Sequence, residues 1–351
     1  MKFLKQQFII LSVFIILVFN YNSCIEPFII ETPEGSKNLV VDGFFTTEFK
    51  VHEVRLSYSS PYYSSGKLDP VYGATLQIIS NLGEVYNLNE GNEGIYYTEP
   101  IAAEVGKSYK LSIESFSGKF YESRFEPVIA VHPFDTIQTE YRNDEFLRKK
   151  IIVSAKNIEQ SVEPNFLYWD FTGHQEELRI YEDPEDTTAG EIMYPCITSE
   201  KCTNCLNISS NKFSSESIYN QYITNIPYTS TKKYVIKIDK YSISPNVYEY
   251  FNQINRIISN SGTIFDSPPT SIKGNIRNIH NDDESVHGYF YASDIFSKVF
   301  TIPRNIYLDD PDVLSIRPPR PCSKPPRDCA EAPLQLPDPA PCPQEPPIYW
   351  D

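Results

Sequence analysis

Between Asn38 and Ala130 the apolar residues fall on alternate positions in short runs, and the runs are divided by turn residues. A period of two places successive side chains on opposite faces of a pleated strand, so this stretch cannot fold as helices. LVVDGFF (39–45), VHEVRLSY (51–58), ATLQIIS (74–80), GEVYNL (83–88), KSYKLSIES (107–115) and KFYESRF (119–125) each read as a strand. Asn81-Leu82-Gly83 and Ser117-Gly118 supply turns between consecutive strands. Strands of this length at near-regular spacing predict an immunoglobulin-like β-sandwich over 38–130.

Pro127 and Pro133 bracket the exit into a larger region, 131–317, expected to form a β-rich domain. KKIIVSA (149–155), FLYWDFTG (166–173) and KKYVIKIDKYSI (232–243) read as its strands, with HGYFYASDI (287–295) and KVFTIPRNI (298–306) as neighbours in the same sheet. The polar stretch 182–230, rich in Ser, Asn and Tyr and holding three cysteines, is expected to be a long loop or insertion pinned by disulfides. One helix is predicted over 246–260. Ser244-Pro245 offers an N-cap and a first-turn proline. Val247, Tyr250, Phe251, Ile254, Ile257 and Ile258 then recur at helical spacing as a core-facing stripe. The fold expected is therefore mostly β, a sandwich followed by a larger β-rich domain with one packed helix. Residues 318–351 form a Pro/Cys-rich tail that cannot pair as a central strand. It is either a spacer or a segment laid over the body.

The N-terminus reads as an address. Lys2 and Lys5 precede an apolar run, Phe8–Phe19, broken by Ser12 alone, and Asn22-Ser23-Cys24 follows. The run suits a signal peptide and is too short to span a bilayer comfortably. A small residue directly before cysteine is the lipoprotein cleavage pattern, although Tyr21 stands where an aliphatic residue is usual. We expect a signal peptide over 1–23, acylation at Cys24 and a tether over 24–37. An ordinary secretory signal and an uncleaved anchor are the alternatives.

The whole chain carries a formal charge of −15, and loss of Lys2 and Lys5 makes the body more acidic still. That argues against nucleic-acid binding, which needs a basic surface. With a single long apolar run, the chain is not a polytopic helical membrane protein. The 25 Tyr and 21 Phe argue against a fully disordered chain.

Besides Cys24 there are six cysteines, Cys196, Cys202 and Cys205 in mid-chain and Cys322, Cys329 and Cys342 in the tail. An even number in an exported chain points to disulfides, and two groups of three require at least one bridge between the groups if all pair. Metal binding by Cys202-x-x-Cys205 and unpaired thiols are the alternatives. No second such pair and no nearby histidine completes a zinc site.

No nucleophile elbow, P-loop, dinucleotide-binding glycine motif, zinc-protease motif or calcium loop is present. We expect no catalytic residue, no metal and no cofactor. His280, Asp282, Asp283, Glu284 and His287 form the densest polar cluster, whose simplest account is a solvated turn; oxygen ligation of a divalent cation is the alternative. The acidic run 182–186 lacks the ordered spacing of a calcium loop and reads as a solvated loop.

Tyrosines are the better lead, because each combines a flat apolar face with a polar tip. Tyr58, Tyr62, Tyr63, Tyr72, Tyr96 and Tyr97 fall at or near loops of the first domain and are the candidate ligand or partner contacts. Tyr219, Tyr222 and Tyr228 belong to the mid-chain stretch. Simple packing of tyrosine-rich strands is the competing explanation.

Several segments in order carry a family resemblance: LVVDGF, VRLSYSSPY, VYGATLQI, KSYKLSIES, GKFYES, GTIFDSPPTSIKGNIRN, GYFYAS and FTIPR. The chain resembles a Bacteroidota outer-membrane lipoprotein family known only as a domain of unknown function (DUF4249-like). Phe265-Asp266-Ser267-Pro268-Pro269 and Gly274-Asn275-Ile276 are the most diagnostic elements. Members are typically encoded beside TonB-dependent transporters. The resemblance therefore implies a non-catalytic lipoprotein at the cell surface or on the periplasmic face of the outer membrane, partnering such a transporter to capture a ligand or brace the channel. It implies no catalytic residue. A structural subunit of a larger assembly, or an adhesion module without a small ligand, is the alternative function.

Overall fold

The computed structural model describes residues 37–60, 69–143, 149–158, 165–182, 191–202, 206–211, 218–227, 234–260 and 272–302. It is mostly β with one long helix, as the periodicity requires. The first strands are β1 (Leu39–Thr46), β2 (Glu53–Tyr58), β3 (Asp69–Pro70), β4 (Thr75–Ser80) and β5 (Val85–Glu90). They are followed by β6 (Ile95–Thr98), β7 (Ser108–Glu114), β8 (Phe120–Ser123) and β9 (Glu126–Pro127).

Next come β10 (Thr136–Asn143), β11 (Lys149–Ile158), β12 (Phe166–Glu182), β13 (Glu191–Lys201), β14 (Asn207–Ser210), β15 (Ile218–Pro227) and β16 (Tyr234–Ser242). Helix α1 (Pro245–Asn260) precedes β17 (Ile276–Asn278), β18 (Val286–Ser293) and β19 (Ile295–Ile302).

Strands β1 to β9 join β17 and β18 in one sheet of eleven, running β17-β8-β7-β4-β5-β6-β2-β1-β18, with β3 on β2 and β9 on β7. The alternation seen in sequence becomes the buried face: Leu39, Val41 and Phe45 from β1 meet Leu76 and Ile78 from β4, Tyr109, Leu111 and Ile113 from β7, and Phe290 from β18. Phe45 meets Tyr109 edge-on at 4.9 Å, although β1 and β7 are far apart in strand order. The sheet is therefore folded over one core.

A division of the chain at residue 130 misses part of this arrangement. Two segments inside 131–317 return to the first sheet: Ile276–Asn278 pairs with β8, and Val286–Ser293 pairs in parallel with β1 from Leu39↔Val286 to Thr46↔Ser293. The expectation that 287–295 and 298–306 share a sheet is likewise corrected. β18 belongs to the first sheet, whereas β19 pairs with β16. The long-range register has no local sequence signal, because a buried parallel strand reads like any other apolar run.

The stretch expected to be a loop over 182–230 contains three strands. β13 and β14 both pair with β12, and β15 pairs with β11. Backbone pairing holds these polar segments. Among the described side chains of β15 only Ile223, Thr224 and Ile226 are buried, beside exposed Asn220, Tyr222 and Asn225. A three-stranded sheet (β10-β11-β15) and a five-stranded sheet (β13-β12-β16-β19, with β14 on β12) enclose a second core around Phe134, Ile151, Val153, Trp169, Phe171, Ile236 and Ile238.

Helix α1 starts where the sequence places it. The Ser244 hydroxyl accepts the Val247 N–H at 3.3 Å, the capping bond that Ser-Pro anticipates. Val247 and Phe251 are buried and Ile254 is half-buried, whereas Ile258 turns out to solvent and ends the buried stripe early.

Candidate functional site

The two sheet systems meet at a joint made of one residue between two strands. Asp294 separates β18 from β19, and its atoms reach three other parts of the chain. Its Oδ2 accepts the Val131 N–H at 2.8 Å, its Oδ1 accepts the Thr47 hydroxyl, and its carbonyl accepts the Ser242 N–H at 3.1 Å. The Ser293 hydroxyl adds a bond to the Ser242 carbonyl at 2.6 Å. Three of these four contacts satisfy a backbone group where a strand leaves its ladder, and the Thr47 bond joins two side chains.

Over this joint five aromatic rings from five elements form a closed circuit. Phe44 (β1) meets Tyr241 (β16) at 5.5 Å, and Tyr241 stacks on Tyr168 (β12) at 5.4 Å. Tyr168 meets Phe251 (α1) at 5.5 Å, Phe251 meets Tyr291 (β18) edge-on at 5.5 Å, and Tyr291 stacks on Phe44 at 5.1 Å. These spacings lie in the favourable range for aromatic pairs. Tyr250 extends the group through Tyr289 at 4.7 Å.

Three carboxylates border the circuit. Asp170 and Asp239 lie opposite each other in the β12–β16 pairing, two residues along from the opposed Tyr168 and Tyr241. Period two puts all four side chains on one face. Burial raises the Asp170 carboxyl above its ordinary range, and the charge of Asp239 adds to this, while the Phe171 N–H, Lys201 and Lys237 oppose it. Asp239 is held by Lys237 at 3.0 Å and by the Ser297 hydroxyl. Asp42, from β1, is exposed to solvent, yet desolvation by surrounding protein raises its carboxyl, against the pull of Arg55. The hydroxyls of Tyr168, Tyr241 and Tyr291 are all pushed up by burial first; neighbouring carboxylates come next for Tyr168 and Tyr241, and Tyr168 followed by Asp42 for Tyr291.

Beneath this lies a buried polar network. Glu126 is 1% exposed and accepts hydrogen bonds from Tyr289 Oη at 2.8 Å, Ser244 Oγ at 2.7 Å and Asn275 Nδ2 at 3.3 Å. Burial raises its carboxyl, and these three donors only partly offset the shift. Asn275 also completes a sheet edge. Its amide N–H reaches the Phe290 carbonyl at 2.7 Å and its Oδ1 accepts the Phe290 N–H at 3.1 Å. The side chain thus does what a neighbouring strand would do. Gly274 beside it packs on Gly288, which has φ +88° and lies against the Val41 carbonyl; a Cβ at either glycine would overlap a backbone oxygen. The Gly274-Asn275-Ile276 motif is therefore an edge-closing device.

The tyrosines singled out from sequence do not assemble into one site. Tyr96 is 0% exposed; its hydroxyl donates to the Val71 carbonyl at 3.0 Å and accepts the Ala74 N–H at 3.2 Å, so it is a core residue. Tyr58 packs against the first core. Tyr72 is exposed and Tyr97 partly so, on separate strands or turns. Tyr62 and Tyr63 lie outside the described residues, as do Tyr228 and the side chain of Tyr219. Tyr222 is exposed on β15.

Cys202 is disulfide-bonded. Cys24, Cys205, Cys322, Cys329 and Cys342 lie outside the described residues, and so does the side chain of Cys196 in β13. In the His280–His287 segment, burial tends to raise the Glu284 carboxyl, but hydrogen bonds from Lys119, Tyr121 and Asn278 prevail and hold it low. It joins the turn to the sheet. Among the described residues no group of three His, Cys, Asp or Glu side chains is placed to hold a metal ion.

The joint tyrosines were missed because they lie in runs that read as core strands. Tyr168-x-Asp170 and Asp239-x-Tyr241 run in opposite order, so antiparallel pairing sets Tyr opposite Tyr and Asp opposite Asp.

The family model of a domain of unknown function, DUF4249, matches residues 25–299. No curated protein matches the sequence. Among solved structures, trypsin-activated α2-macroglobulin from Escherichia coli is similar at 11% identity and a TM-score of 0.21, covering 61% of this chain and 15% of that one. The Yersinia pseudotuberculosis adhesin InvE is similar at 16% identity and a TM-score of 0.16, covering 59% of this chain and 55% of the adhesin. The chain thus spans less than two thirds of either protein, and at these TM-scores neither likeness bears on fold or activity.

Proposed function

The chain belongs to the DUF4249 family, a domain of unknown function, and from that premise we propose that it is a non-catalytic outer-membrane lipoprotein that serves a TonB-dependent transporter as a ligand-capturing accessory subunit. The observation that carries the ligand-capture part is the joint, where aromatic rings from both sheet systems pack together with carboxylates beside them. Ligand sites are often found between structural units, with aromatic walls and a few convergent polar groups. The anchor rests on the signal-like run and Cys24, and the acidic body suits a soluble unit held off an anionic surface by a tether. The transporter partnership and the outer-membrane address rest on the family resemblance alone.

A bracing or adhesive role draws support from a different feature. Phe116 is 88% exposed at the turn between β7 and β8, and Tyr72-Gly73 lies next to it. Exposed aromatic residues at a sheet end suit contact with another protein.

The discriminating experiment is affinity capture of the tagged full chain from its native membrane in mild detergent, followed by mass spectrometry. Stoichiometric recovery of a TonB-dependent transporter is expected. Recovery of the chain alone, under conditions that keep other outer-membrane complexes intact, would remove the subunit role and leave a free-standing surface binder.

A further inference from the structure

Cys202 is disulfide-bonded, and the strand register decides which cysteines can reach one another. Cys196 lies within β13, and its backbone stands opposite Glu177 of β12. Cys202 directly follows Lys201, the last residue of β13, so six steps of extended chain put it about 20 Å from Cys196. Cys205 precedes Asn207 by two residues, and Asn207 stands opposite Trp169. β12 is one unbroken strand over Phe166–Glu182. Trp169 and Glu177 are therefore about 26 Å apart along it, and two residues of chain recover about 7 Å of that at most. The Cα atoms of a disulfide lie within about 7 Å of each other. Cys196 thus reaches neither Cys202 nor Cys205. The cysteines left to it are Cys24, whose sulfur is expected to carry lipid, and Cys322, Cys329 and Cys342 of the tail.

The register also shows where the tail sets out. β19 ends at Ile302, opposite Tyr234; Tyr234 stands opposite Gln175, and Gln175 opposite Thr198. One row of residues crosses the sheet from the last described residue to within two positions of Cys196. The ends of that row are three strand spacings apart, about 14 Å. The chain from Ile302 to Cys322 extends to about 66 Å, ample to return to β13.

β13 is a strand with an open side. It ends the order β13-β12-β16-β19 and has no second neighbouring strand among the described residues. Such an edge invites pairing with foreign strands unless it is covered. Between 318 and 347 the tail holds 12 prolines. Proline lacks the N–H that would extend a ladder, so this segment can cover an edge without lengthening the sheet.

We propose that Cys196 is disulfide-bonded to a cysteine of the 318–351 tail, which is thereby held along the open edge of β13. The two thiols lose two protons and two electrons to a thiol oxidant of the exported compartment. The inference rests on the export reading and not on which partner the protein serves.

Tryptic mapping of the full chain tests it, with the protein taken from its native membrane, free thiols blocked with N-ethylmaleimide, and no reductant added. Trypsin separates 180–201, 202–212, 305–327 and 328–351, because Arg317, Arg320 and Lys324 are each followed by proline. The expected product joins 180–201 to 305–327 or 328–351 and is released by reduction. A maleimide-blocked Cys196, or 180–201 joined to 202–212, to the peptide bearing Cys24 or to a second copy of itself, would overturn the proposal. The mass of the Cys24 peptide in the same digest reports acylation, so failure of the export reading is told apart from failure of the bond. Hydrogen exchange then tests the cover. Cys196→Ser should exchange several-fold faster than the wild type over 191–198, and equal rates there would overturn the placement of the tail on β13.

Discussion

Asp170 stands directly opposite Asp239 across the β12–β16 pairing, so two carboxylates share one face of a sheet at the joint. Like charges in that position are destabilising. The protein tolerates the pair by giving Asp239 to Lys237 and Ser297 and leaving Asp170 to carry the raised carboxyl.

Asp170→Asn should therefore stabilise the fold at neutral pH, by about 0.5 kcal/mol. The sign follows from linkage. A carboxyl raised in the folded state adds stability below its unfolded value, near 3.8, and loses it as pH rises through the folded value. The advantage of Asp170→Asn should thus be greater at pH 7 than at pH 4. Urea unfolding at the two pH values measures it, and an advantage that shrinks at pH 7 would contradict the account.

Asn275 replaces a missing strand by bonding both backbone groups of Phe290. Asn275→Ala leaves that N–H, that carbonyl and one Glu126 contact without a partner. Since an unsatisfied buried group costs roughly 1–3 kcal/mol, the variant should lose about 3 kcal/mol. Chemical denaturation would show the loss as a lower midpoint.

Gly288 combines a left-handed backbone with direct contact on the Val41 carbonyl. Gly288→Ala should prise β18 from β1 and cost about 3 kcal/mol or more. Gly118, also at positive φ, has open space around it. Gly118→Ala should cost about 1 kcal/mol from backbone strain alone. Comparison of the two melting temperatures separates close approach from backbone strain.

Adjacent tyrosines on β6 should behave differently. Tyr96→Phe removes the donor to Val71 and the acceptor for Ala74, a loss of about 1 kcal/mol. Tyr97→Phe, at a partly exposed position, should stay within about 0.5 kcal/mol of the wild type. Thermal melts of the two variants decide it.

Much of the architecture was legible because local periodicity reports burial. Leu39–Thr46 and Ser108–Glu114 alternate in sequence and in exposure alike, and Ser244-Pro245 marks the helix start. The polar strands β13 to β15 were not legible, since ladder hydrogen bonds hold them and such bonds leave little trace in composition. The return of Val286–Ser293 to β1 was invisible for another reason: nothing near residue 286 specifies a partner at residue 39. Composition drew attention to tyrosines but not to the cluster at the joint. Exposed loop positions attracted notice, whereas Tyr168, Tyr241 and Tyr291 come together only when three distant strands meet.

Hydrogen-exchange mass spectrometry of the full chain, alone and bound to the partner recovered by affinity capture, most directly tests whether function resides at the joint. The account predicts added protection in peptides covering 166–175, 234–242 and 286–293. Protection confined to 69–74 and 91–98, around Tyr72 and Tyr97, with the joint peptides unchanged, would contradict it and return the site to the exposed loops.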